Sequence, residues 1–184
     1  MGRHWQYLKY VLRHKWYVLL ACFEFNVPIL IAIFHDWDKF LPDEWLPYAR
    51  TFYDKSGNKQ YKEYPAFSMA WNAHQKRNKH HWQYWMLTWD RGATECLPMP
   101  DVYIREMVAD WRGAGKALGK PNTCEWYHSN RDKIQLHPDS RKRVEALIKY
   151  EDFIDEIIAV TNNISPEEVK RQRQERAFKA GFFG

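Results

Sequence analysis

Apolar residues recur along most of the chain at steps of three and four. No stretch alternates apolar and polar residues well enough to make a strand, so the pattern predicts an all-α protein. Tyr7, Val11, His14 and Val18 share one face of a first helix from about Trp5 to Phe23, which turns His14 inward. Pro28 opens a second helix, Ile29-Leu30-Ile31-Ala32-Ile33-Phe34, expected to be buried and to deliver His35-Asp36 at its end. Pro42-Asp43-Glu44 starts a third helix, and Asp54 to Lys59 reads as an exposed polar loop. A helix from Pro65 carries Phe67, Ala70, Trp71 and His74; if it is continuous, two further turns bring His81, rather than His80, to the face of His74.

A helix from about Asp101 to Gly113 places Tyr103, Met107, Asp110 and Ala114 on one face, with a loop expected from Gly113 to Thr123. Pro138-Asp139-Ser140 opens a long amphipathic helix with Val144, Leu147, Ile154, Ile157 and Ile158, and Ser165-Pro166-Glu167-Glu168 is a capping box for a last helix. This divides the chain into one helical domain over 1–164 and a basic C-terminal helix or tail over 165–184.

The composition fits a single globular domain of 184 residues, with 45% hydrophobic and 28% charged residues, and it excludes disorder, collagen and a disulfide scaffold. Aromatic residues make up 17%, more than a core needs, which suggests a walled pocket or a stacking surface. The net charge of +5 mildly favours anions such as phosphate esters. Much of the excess lies in Lys170, Arg171, Arg173, Arg176 and Lys179, a solvated helix face or a contact for nucleic acid. Cys22, Cys96 and Cys124 form no C-x-x-C pair, which argues for reduced thiols and a cytoplasmic location. Leu19-Leu20-Ala21-Cys22 resembles a lipoprotein cleavage box, but Glu24, Asn26 and Pro28 break the apolar run well short of the ~20 residues a spanning helix needs, so no membrane partner is expected.

The inward polar positions are His14, His35, Asp36, His74, His80 or His81, and Asp110, all imidazole or carboxylate. Burying several titratable groups is costly unless each finds a partner, and a divalent cation partners all of them. Imidazole and carboxylate without thiolate suit Mn, Fe, Co, Ni or Zn. Each position also has a plainer reading: His35-Asp36 as a helix cap, His14 as a core histidine, Asp110 as a partner of Arg112 or Arg77.

The order His14, His35-Asp36, Asp110 resembles the HD-domain metalloprotein superfamily, over about Trp5 to Trp111. The resemblance implies a helical bundle of the HD type with a metal ion on these four residues, and a second ion if His74 and His81 act as the two further His of the two-metal form. The spacing His35-Asp36-Trp37-Asp38-Lys39 matches the His-Asp-x-x-Lys of two-metal members, which implies that Lys39 contacts an anionic substrate. The segments Arg77-Asn78-Lys79-His80-His81-Trp82 and Glu106-Met107-Val108-Ala109-Asp110-Trp111 look like a family of uncharacterised bacterial and phage proteins.

The function expected from these features is a metal-dependent phosphohydrolase acting on a phosphate ester, most plausibly a nucleotide held by stacking aromatics. Lys39 and Arg77 would neutralise phosphate, and Asp38, Glu106 and His80 are the proton-transfer candidates. The alternatives are an HD-type di-iron oxygenase and a non-catalytic, metal-stabilised binding protein.

Overall fold

The computed structural model describes residues 2–120, 122–169, 171 and 172, and for 151–156 the backbone alone. The chain is mostly helical, in the order α1 (Arg3–Glu24), α2 (Ile29–Phe34), α3 (Pro42–Phe52), α4 (Pro65–Arg77), α5 (Asp101–Ala117), α6 (Thr123–Asn130) and α7 (Pro138–Asn162). Single 3-10 turns cover Trp37–Phe40, Trp82–Trp85 and Arg131–Lys133.

α1 and α5 lie against each other as the spine of the fold, and α7 packs on α5. A Cβ at Gly113 would stand 2.5 Å from Val18 Cγ2 and 2.6 Å from the Val18 backbone nitrogen. Only glycine permits so close an approach. Gly113 therefore serves the helix contact, and α5 runs on through it to Ala117, a turn beyond the predicted end, stopping before Gly119 at φ +74°.

Two apolar clusters form. One joins Val18 and Cys22 of α1 to Met107 and Val108 of α5, Tyr127 of α6, and Val144 and Ile148 of α7. The other is aromatic, built on Tyr7, Val11, Tyr48, Tyr53 and Ala70 with Trp45 and Phe67 against it. His14 lies on α1 between Val11 of the second cluster and Val18 of the first, so the two cores bracket the polar centre.

Four expectations need correction. α2 is not a buried helix: Ala32 is its buried residue, while Leu30 and Phe34 are 67% and 62% exposed. Six consecutive apolar residues have no polar face to mark the outside. The Lys15 ammonium donates to the carbonyls of Ile33 and His35 and pins the helix to the surface. Second, α4 ends at Arg77, so His81 does not continue its face. Third, a hairpin of β1 (Met86–Thr88) and β2 (Thr94–Cys96), with Met86 opposite Cys96, forms in a chain whose pattern predicts no strand. Three-residue strands are too short to show alternation, and Gly92 at φ +83° supplies the turn. Fourth, Ile157 of α7 is exposed rather than on the inner stripe; the side chain of Ile154 lies outside the described residues.

Residues 166–169 are helical, and the Glu168 backbone N–H donates to Ser165 Oγ at 3.1 Å, the predicted cap. Arg171 pairs with Glu168, whereas Lys170, Arg173, Arg176 and Lys179 lie outside the described residues. Among the described residues, no helix is long and apolar enough to cross a membrane.

Candidate metal centre

Helices α1, α2, α4 and α5, with the turns that follow α2 and α4, deliver one buried polar cluster. α1 supplies His14 from its inner face and α5 supplies Asp110 and Glu106, one turn apart. The end of α2 supplies His35 and Asp36, where Asp36 takes the left-handed conformation at φ 52°. That conformation is uncommon for a residue with a side chain and is best tolerated by Asp or Asn. It reverses the chain so that His35 and Asp36 both face inward and the next turn returns Asp38 and Lys39 to the same centre. α4 adds His74, and the loop after it adds His80 and His81.

The first donor group is His14, His35, Asp36 and Asp110, whose ligand atoms all lie within 4.8 Å of one another. His14 Nε2 is 3.2 Å from Asp36 Oδ2 and 3.3 Å from Asp110 Oδ1, and His35 Nε2 is 3.5 Å and 3.3 Å from the same two oxygens. The second group is Asp36, His74, His80 and His81, on the other oxygen of the same carboxylate: His74 Nε2 and His80 Nε2 are 3.5 Å and 3.4 Å from Asp36 Oδ1. His80 and His81 thus both belong to the cluster, since a loop, unlike a helix, can turn adjacent side chains to one point.

Carboxylates behind the imidazoles fix their orientation. Glu106 Oε1 is 3.0 Å from His35 Nδ1 and 3.3 Å from His80 Nδ1. Glu44 Oε2 and Asp38 Oδ2 are 2.9 Å and 3.1 Å from His74 Nδ1. In each case Nδ1 is turned to a carboxylate and Nε2 toward Asp36, the arrangement by which proteins hold metal-binding histidines. Several inward atoms have no hydrogen-bond partner, among them His35 Nε2, His80 Nε2, His81 Nε2, Asp36 Oδ1 and Asp110 Oδ1. Buried polar atoms left unpaired are costly, and a cation held by their donor groups would satisfy them. The donor set fits a divalent transition metal.

The electrostatics agree with a centre built for a cation. Burial opposes the charge of Asp36, yet His35, Lys39 and His74 outweigh it and hold the carboxyl well below the usual range. Asp110 is likewise lowered against burial, by His35 and His14 beside it. Burial disfavours the His35 imidazolium, but Asp36, Asp110 and Glu106 overcome it and raise its pKa to about 10. His14 and His81 are lowered, chiefly by burial.

Lys39 and Arg77, expected to neutralise phosphate, and Asp38, a proton-transfer candidate, all have partners within the chain. Lys39 is 8% exposed, and its Nζ lies 2.7 Å from Asp36 Oδ2 and 3.3 Å from His74 Nε2. Arg77 donates from Nη2 to Asp43 at 2.5 Å and from Nη1 to Glu44 at 3.0 Å. Asp38 Oδ2 also accepts from Asn78 Nδ2 at 2.6 Å. Glu44, fully buried behind His74, was missed because Pro-Asp-Glu at a helix start reads as an exposed acidic first turn.

Residues 3–150 match DUF5662, a family of unknown function. The chain belongs to that family. The DUF5662 match runs from the start of α1 into α7 and contains every donor of both groups. No curated protein and no solved structure matches the chain.

Proposed function

We propose that the chain is a metal-dependent phosphohydrolase of the HD-domain type, acting on a phosphate ester with a nucleotide as the substrate class. The observation that carries this reading is the convergence of His14, His35, Asp36 and Asp110, in that sequence order, on one buried point from α1, the end of α2 and α5. These four residues would hold Mn, Fe, Co, Ni or Zn. When bound, such an ion supplies Lewis acidity and activates water for hydrolysis. Glu106, on His35 Nδ1, would hold the imidazole with its Nε2 toward such an ion. His81 is half-buried and held neutral by burial, with an unpartnered Nε2 that can accept a hydrogen bond from a bound group. Trp71, stacked on His74 and edge-on to His81, offers an aromatic surface to a base.

The test is phosphate release from a panel of nucleoside mono-, di- and triphosphates by protein loaded with Mn or Co. Release by the wild type, lost in Asp110→Ala together with the metal, supports the reading. Metal-loaded protein inert on every phosphate ester removes it.

One observation favours a second reading, an HD-type di-iron oxygenase: the second donor group shares Asp36 with the first. Iron-loaded protein would then consume oxygen with a polyol or phosphonate substrate. A cytoplasmic location and a nucleic-acid contact through the basic tail remain proposals that rest on the sequence.

A further inference from the structure

We propose that α1 and α2 present a face on which a second copy of this chain docks, giving a homodimer with two antiparallel α1 helices at its centre. The face is a second apolar stripe of α1, on the side of the helix away from His14. Trp5, Leu8, Leu12, Trp16, Leu19 and Phe23 recur at steps of three and four, the spacing of a helix surface that packs on another helix. Leu8 and Leu19 are half-buried, whereas Trp5, Leu12, Trp16 and Phe23 are between 41% and 57% exposed. No charged residue interrupts the stripe. α2 extends it. Lys15, which donates to the carbonyls of Ile33 and His35, leaves α1 three residues from Leu12 and four from Leu19, so α2 is pinned alongside the stripe. Its Leu30 and Phe34 are exposed one turn apart, in a helix with no polar residue to meet water.

The area suits a stable interface. The four exposed residues of the stripe, with Leu30 and Phe34, are each about half exposed and offer on the order of 600 Å² of apolar surface. That is the upper limit for the largest patch of a typical monomer, about 300–600 Å², and most of the ~800 Å² that each partner buries in a standard interface. A second copy is the occupant the stripe fits. A two-fold interface is self-complementary, so each contact must occur twice with its partners exchanged. Reversed about the point midway between Leu12 and Trp16, the stripe sets Leu12 against the partner's Trp16 and Trp5 against the partner's Phe23. The same antiparallel order brings helix ends of opposite partial charge together.

The experiment is mass determination in solution. The full-length protein is examined by sedimentation equilibrium at micromolar concentration, with far-UV circular dichroism as the check on folding. The wild type is expected at twice the chain mass. Leu12→Glu, Trp16→Lys and Phe34→Glu each place a charge on the face at an exposed position and are expected to be folded monomers, with dissociation constants raised at least ~30-fold, as when a central anchor is lost. Met69→Glu, on α4 and 70% exposed, is the control and should stay dimeric. Mixing Leu12→Glu with Trp16→Lys is expected to restore a dimer, because antiparallel pairing sets the two new charges against each other and leaves the second Leu12–Trp16 pair intact. A monomeric wild type overturns the proposal, whether its face then binds phosphatidylglycerol vesicles or nothing. So do a folded face variant that stays dimeric, a Met69→Glu monomer, and a mixture that stays monomeric. Where one face variant does not fold, the wild-type mass and the remaining variants decide.

Discussion

Glu106 Oε1 lies 3.0 Å from His35 Nδ1, on the opposite side of the imidazole from the Nε2 that faces Asp36 and Asp110. The same oxygen is 3.3 Å from His80 Nδ1, so one buried carboxylate orients two imidazoles. Removing such a supporting group typically costs about 10- to 100-fold in metal affinity. Glu106→Ala is therefore expected to weaken Co(II) binding by about that factor, measured by competition with a chromophoric chelator. Glu106→Gln keeps an acceptor oxygen and should lose less. Equal affinity in all three proteins would show that His35 needs no support from α5.

Metal binding should release a proton from His35. With its pKa raised to about 10, His35 is an imidazolium at neutral pH in the metal-free protein, and a ligand must be neutral. Calorimetry in buffers of different ionisation enthalpy is expected to show release of about one proton per ion at pH 7.5 to 8.5. The same shift fixes the sign of the stability effect. A base raised in the folded state contributes stability that is full below its unfolded value of 6.5 and lost as pH rises through the folded value. Metal-free protein should lose melting temperature as the pH climbs from about 7 toward 10. Metal binding without proton release would refute the assignment of His35 as a buried cation.

The residues of the first donor group are legible because each sits on a strong signal: His14 and Asp110 on helical stripes, His35-Asp36 as a pair behind a proline-started apolar run. Their supports are not. Glu44 and Glu106 act across long sequence separations, 30 residues to His74 and 71 to His35, and nothing local distinguishes a buried glutamate from an exposed one. His80 was placed second to His81 because the helical period was carried past Arg77, where the chain leaves the helix. Lys39 and Arg77 each lie against carboxylates of the chain itself, which no local pattern announces. Charge and spacing fix where a cation is, but not which carboxylate it meets first.

Arg77 is expected to matter for stability. Its Nη1 donates to Glu44, whose carboxylate is fully buried and faces His74. Arg77→Ala leaves that carboxylate short of a partner, and a buried acceptor left unsatisfied costs about 1 to 3 kcal/mol. Because the guanidinium is 42% exposed, the lower half of that range applies. About 1 to 1.5 kcal/mol corresponds to a fall of roughly 2 to 6 °C in Tm for a chain of this size. Arg77→Lys should recover part of it, and a double variant with Glu44→Gln should show coupling. If Arg77→Ala instead melts like the wild type and loses only turnover, Arg77 contacts substrate and the structural role is wrong.

Gly113 links the packing of the spine to the centre. A methyl group there meets Val18 Cγ2 at 2.5 Å and the Val18 backbone nitrogen and Cα at 2.6 Å and 2.7 Å. The side-chain clash could be relieved by a rotamer change, but the backbone clash cannot, so Gly113→Ala must push α1 and α5 apart. Overpacking of this kind costs about 1 to 3 kcal/mol, less the few tenths that alanine recovers by its better helix propensity. Those helices carry His14, one turn before Val18, and Asp110, one turn before Gly113. Their separation at the contact widens the 3.3 Å gap between His14 Nε2 and Asp110 Oδ1. Gly113→Ala should therefore lower both Tm and Co(II) affinity, although residue 113 touches no ligand. Adding Val18→Ala removes only the Cγ2 contact and should restore little of either. Full rescue by Val18→Ala would mean that the side chain alone sets the helix spacing, and that the backbones do not meet as described.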